Sequence, residues 1–362
     1  MSIYTDESVE LLRSMVRIPS VTYGETEVQK HISSWLDAAG VPHSCAGRNI
    51  VAFSEGFDPS RRTLALDAHI DTVPACEGYS FDPFDPGDDP EIVRGLGSND
   101  DGGSVAAMIA VFRELRAVEL PFNIVLTLSC EEERSGPDGA DWLYAPGGYL
   151  ESCGCVPSWA IVGEPTGLKA ATSERGLLVI DGEARGVSGH AARGDGVNAL
   201  YIALEDIEAI RALKFPRISP VMGPVRLNVT QIEAGTAHNV IPDTCRFVVD
   251  IRPTEQYSNE EILAELQSLC RSTLTARNLR NRSSASRPGS PLMRTALALG
   301  LECYSSPTTS DWMRIPCDAL KLGPGESSRS HRPDEYITRS EIEAAAELYK
   351  DLILNLYGNI VE

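Results

Sequence analysis

Asn123-Ile-Val-Leu-Thr-Leu128 runs without a break into Ser129-Cys130-Glu131-Glu132-Glu133. The first part is short, apolar and β-branched, which predicts a buried strand. Three carboxylates at the end of such a strand are costly unless something compensates them, and each raises the pKa of the others. Either they fan out into water or a cation neutralises them. Such a cation would need further ligands from elsewhere in the chain.

The chain has 362 residues and a net charge of −20. That length predicts more than one core, and the acidity argues against nucleic acid or an anionic membrane as partner. No apolar run approaches a membrane span. The first residues, Met1-Ser-Ile-Tyr-Thr-Asp-Glu7, lack the basic and apolar regions of a signal peptide. Nine scattered cysteines suggest reduced thiols, hence a cytoplasmic protein. The Cys153-x-Cys155 pair has no second pair at zinc-finger spacing.

Helices are expected over Asp6–Val16 and Glu25–Ala39, with strands at Asn49–Phe53 and Thr63–Leu66. The latter runs into Asp67-Ala-His69-Ile-Asp71. In extended chain, residues two apart share a side, so His69 and Asp71 face one site. A carboxylate beside an imidazole fixes its tautomer, as around a metal-ligating histidine. Gly97-Ser-Asn-Asp100-Asp101-Gly102-Gly103 precedes an apolar helix. The two aspartates either cap that helix or offer hard oxygen ligands, and one Asp can bridge two ions. Trp159-Ala-Ile-Val-Gly163 is another strand, ending at Glu164. The alternation of strands and helices predicts an α/β domain whose polar residues gather at one sheet edge, where such sheets bind ligands.

After Glu164 the pattern changes. A strand over Glu174–Ala184, a helix over Asn198–Leu213, strands at Arg226–Glu233 and Val240–Arg252, and a helix at Asn259–Arg271 predict an inserted α+β domain of ferredoxin-like type. The division expected is 1–172 with 284–362, and 173–283. A last helix is expected from Ser340 to Tyr357.

In this order His69-x-Asp71, Gly97-x-x-Asp100, Glu131-Glu132, Glu164-Pro-Thr166, Gly189-His190, Asn239-Val-Ile-Pro242 and His331-x-Pro-x-Glu335 resemble the di-zinc aminoacylase/carboxypeptidase family, which includes acetylornithine deacetylases and succinyl-diaminopimelate desuccinylases. The resemblance implies a zinc-peptidase-like catalytic domain with a mixed central sheet flanked by helices, and an inserted lid or dimerisation domain. It implies two Zn²⁺ per subunit, with Co²⁺ or Mn²⁺ as substitutes. His69, Asp100 and Glu164 would hold one ion, and Asp100, Glu132 and His331 the other. Asp71 would orient His69. Glu131 would be the general base, and Glu133 would lie outward. His190 would stabilise the oxyanion from the partner subunit of a homodimer, and Asn239 and Arg252 would bind substrate. Two departures stand out: Gly102 where the family usually has Lys, and Glu133-Arg134 after the glutamate pair, which leaves the register of the triplet open. The function expected is hydrolysis of an N-acyl-L-amino acid, N-acetylornithine or N-succinylornithine, in arginine biosynthesis. The alternatives are a dipeptidase, carboxypeptidase or general aminoacylase on the same centre, or an inactive binding protein on the same fold.

Overall fold

A computed structural model describes residues 4–361, with side chains to residue 356. The chain divides into two compact units: Met1–Thr172 with Ala285–Tyr304 and Ser310–Glu362, and Ser173–Ser284 with Ser305–Thr309.

The first unit is built on a mixed sheet. Its strands lie in the order Ser44–Ala46, Asn49–Phe53, Asn123–Ser129, Thr63–His69, Trp159–Val162, Asp318–Lys321 and Ala170–Glu174. The four strands from Asn123–Ser129 to Asp318–Lys321 are parallel to their neighbours. The others run antiparallel at the sides. Register places His69 beside Ser129, and Asp67 beside Val162. The ends of three parallel strands therefore deliver His69, the glutamate triplet and Glu164 to the same edge.

Alternation along these strands divides the two faces. Leu64, Leu66, Ile124, Leu126, Leu128, Ile161 and Leu320 join one core, covered by the helices Thr5–Val16, Gly102–Leu115 and Arg339–Val361. Each fully buried Leu or Ile there contributes about 1.5–3 kcal/mol. Gly102–Leu115 is apolar on nearly every side because it is sandwiched between the sheet and the other two helices. On the opposite face, Ala65, Val125, Ala160, Val162 and Ala319 pack with Leu143, Tyr144 and Trp312. That second face turns polar toward the ligand edge, through Asp67 and His69, and through Thr127 and Ser129.

The second unit is an antiparallel sheet ordered Arg226–Ala234, Thr244–Arg252, Leu178–Arg185, Thr273–Ala276. Its apolar face packs on two helices. Ala199–Ala212 starts where the Asn198 side chain accepts from Leu200 N–H, and Asn259–Leu269 starts at a Ser258/Glu261 capping box. The expected single strand Val240–Arg252 is broken: Val240–Ile241 pairs with Gly189–His190, and Thr244–Arg252 begins anew after Pro242. Proline has no N–H to give a ladder, so the strand changes partner there. The short strand Thr273–Ala276, which completes the sheet, was not expected from the sequence.

Candidate metal centre

Asp71 ties the site together. Its backbone carbonyl lies 3.0 Å from His69 Nδ1, which leaves Nε2 pointing away from the chain. Its carboxylate accepts from Glu132 N–H at 3.0 Å, from Glu133 N–H at 3.2 Å and from the Thr22 hydroxyl at 2.7 Å. One buried aspartate thus fixes the imidazole and the glutamate loop against each other.

Asp100 lies between two histidines. Its Oδ1 is 3.3 Å from His69 Nε2, and its Oδ2 is 3.7 Å from His331 Nε2. The N-cap of the following helix is Asp101, whose side chain makes no capping bond. Glu335, which is buried, accepts the N–H groups of Asn99 and Asp100 at 2.9 and 3.0 Å and holds that turn. One ligand atom each from His69, Glu132 and Glu164 lie within 4.8 Å of one another, as do those of His69, Asp100 and Glu133.

The glutamate triplet differs from expectation at its first and third residues. Glu133 is not outward: its Oε1 is 3.0 Å from His331 Nε2. Glu131, expected as the general base, turns away from the histidines. Its carboxylate pairs with Arg48 and accepts from Asp138 N–H. Glu131 sits in the left-handed region at φ 64°, which ends the strand's alternation and sends the next two side chains to new directions. Glutamate carries no bias toward that conformation, so the turn had no sequence signal. Arg48 and the buried Asn49, which accepts Cys130 N–H at 2.9 Å, were also missed. The loop closes through glycines: a Cβ at Gly136 would overlap the Glu131 carboxylate, and one at Gly139 the Cys130 carbonyl. Gly136→Ala is therefore expected to lose about 1–3 kcal/mol of stability, the usual cost of overpacking, read by thermal melting. An unchanged melt would show the loop to be adaptable.

The electrostatics call for positive charge. Burial, then the neighbouring acids, pushes Glu132 and Glu164 well above the usual carboxylate range. Burial also lifts Glu335 to about 8, helped by the Asp100 charge. Hydrogen bonding to Glu133 raises His331 to about 9. Burial alone would lower His69, but Asp100 and Asp71 outweigh it and its pKa rises well above the ordinary value. In return the two imidazoles hold Asp100 low against the pull of its own burial. Two imidazoles, once deprotonated, and the carboxylates grouped with them around Asp100 fit a pair of divalent ions.

Within the second unit, His190 and Asn239 are neighbours. Val240 pairs with His190, and Ala191 N–H donates to the Asn239 carbonyl. Arg252 makes a two-point pair with Asp250, at 2.8 and 3.1 Å.

The chain matches Peptidase family M20/M25/M40 over residues 65–355 and belongs to that family of amide hydrolases. Among its relatives is the acetylornithine deacetylase of Proteus mirabilis (strain HI4320), 26% identical over 393 residues and covering 98% of each chain. Another is the succinyl-diaminopimelate desuccinylase of Dinoroseobacter shibae, 29% identical over 280 residues, with 73% of this chain and 72% of that one aligned. The fold is shared with the Bacillus subtilis YxeP protein, described as a dinuclear metal-binding peptidase, at a TM-score of 0.74 and 16% identity over 98% of this chain and 99% of that one. No helix among the described residues is long and apolar enough to cross a membrane.

Proposed function

We propose that this protein removes the acyl group from the α-nitrogen of an N-acyl-L-amino acid, with N-acetylornithine or N-succinylornithine as the substrate. The observation that carries the reading is Asp100, whose two oxygens face different imidazoles. His69, Asp100 and Glu164 would hold one ion, and Asp100, Glu133 and His331 a second. Zn²⁺ suits this donor set, with Co²⁺ and Mn²⁺ close alternatives. Two such ions would supply Lewis acidity to the scissile carbonyl and lower the pKa of a bound water.

The protein groups do the rest. Glu132, clustered with His69 and Glu164, takes the proton of the attacking water and returns it to the departing amine. Its raised affinity for protons, caused by burial, suits a group that must both accept and give one. Asp71 keeps His69 Nε2 aimed at the site. His190 and Asn239, held together in the second unit, contribute the oxyanion donor and a substrate contact from the partner subunit of a homodimer. Arg252 grips a carboxylate once it exchanges its bond to Asp250 for the substrate. The setting is the cytoplasm, in arginine biosynthesis.

The test is amine release from N-acetyl-L-ornithine, N-succinyl-L-ornithine and a dipeptide by protein reconstituted with Zn²⁺, Co²⁺ or Mn²⁺. Release of ornithine from an acylornithine supports the proposal. Turnover of the dipeptide alone replaces it with a peptidase, and no turnover with any ion favours a binding protein.

A further inference from the structure

We propose that Arg48 is a positioning residue for the metal centre: it clamps Glu131 to Glu25 and so fixes the backbone from which Glu132 and Glu133 reach the site. The proposal rests on the roles assigned above to those two glutamates.

The clamp is built from one cation and two buried anions. The guanidinium is ion-paired to Glu131 Oε1, and its Nε lies 3.2 Å from Glu25 Oε2. Asp138 Oδ2 is 3.7 Å away at the solvent side. The Glu25 and Glu131 side chains are 0% and 1% exposed, whereas Arg48 is 25% exposed. The anions are therefore the trapped partners, and Arg48 is their charge compensation from the rim.

The same carboxylates hold main chain. Glu25 Oε1 accepts the N–H of Tyr23 at 2.9 Å and that of Glu131 at 3.2 Å. Glu131 Oε2 accepts Asp138 N–H at 3.0 Å, and the Glu131 carbonyl accepts Gly136 N–H at 2.9 Å. The next residue after Arg48, Asn49, fixes the other side of the turn through Cys130 N–H and the Asp138 carbonyl. Glu131 is thus held from every direction in a left-handed conformation that its side chain does not favour. Directly after it, Glu132 and Glu133 give their N–H groups to Asp71, the residue that orients His69. Without Arg48, two carboxylates would repel inside this turn. The relaxation open to them is to swing Glu131 outward, which rotates the following peptides and moves the carboxylates of Glu132 and Glu133.

The test compares the wild type with Arg48→Met, Glu131→Gln and Arg48→Met/Glu131→Gln, reconstituted with Zn²⁺. It reads kcat, KM and the affinity for each ion, at temperatures where all remain folded. Arg48→Met is expected to lower kcat at least tenfold and weaken binding of one ion about tenfold, with KM within threefold of the wild type. The double variant should recover part of both losses, because Gln leaves no unpaired anion against Glu25. Glu131→Gln alone, nearly the same size and able to keep the Asp138 bond, should lower kcat a few-fold. Unchanged kcat and ion affinity in either folded single variant would overturn the proposal, even if melting were lowered. A wild type that bound no ion would overturn the underlying metal reading, and this one with it.

Discussion

Glu132→Gln is expected to lower kcat by about two to four orders of magnitude, the usual contribution of a general base, in a protein that still takes up two metal ions. Gln keeps the volume of a buried side chain and removes only its capacity to accept and return a proton. Glu132 clusters with His69 and Glu164, whereas Glu133 contacts His331. Glu133→Gln is the contrasting case. Its carboxylate lies 3.0 Å from His331 Nε2 and within 4.8 Å of the ligand atoms of His69 and Asp100, so its loss should cost one ion as well as activity. Metal analysis beside steady-state kinetics separates the two. If Glu132→Gln lost an ion while Glu133→Gln kept both, the roles would be reversed.

That assignment also marks the boundary of what the sequence could disclose. His69 and Asp71 are read from strand parity, Glu164 from its place after an apolar strand, and Asp100 from its loop before a helix. Their places at strand ends and before a helix follow from local pattern, their roles as ligands came with the family resemblance, and the parallel register of the sheet gathers the strand-end residues at one edge. The glutamate triplet could not be read in that way, because the strand ends at Ser129 and Glu131 enters a left-handed turn. Glu131 is paired with Arg48, which also lies against Glu25, and both are far away in sequence. The pairing of Arg252 with Asp250, by contrast, was accessible, since residues two apart on one strand share a side. The strand Thr273–Ala276 escaped notice because it is short and buries only Leu274. The break at Pro242 was visible in the sequence and should have ended the preceding strand.

Removing the metal is expected to abolish turnover and to reverse the dependence of stability on pH. In the metal-free protein His331 titrates near 9, against an ordinary 6.5, through its bond to Glu133. A histidine raised in the fold stabilises fully below its unfolded pKa, and that contribution is lost as pH climbs through 9. Glu335 titrates near 8, against an ordinary 4.5, chiefly because it is buried. The fold then favours its neutral form, and stability falls as pH rises from 4.5 toward 8. Glu132 and Glu164 shift in the same direction and for the same first cause. Asp100 shifts oppositely, but its titration lies below this range. Between pH 6 and 9 the metal-free fold therefore holds more protons than the unfolded chain, and its melting midpoint should fall with rising pH. Divalent ions need these groups deprotonated, so they bind more tightly as pH rises. An ion present at a hundred times its Kd adds about 2.7 kcal/mol to stability. Melting curves recorded with chelator and with Zn²⁺ should thus diverge steadily from pH 6 to 9, and Zn²⁺ added to the metal-free protein at pH 7 should release protons. Parallel curves with no proton release would mean that the ion binds elsewhere than among His69, Asp100, Glu133, Glu164 and His331.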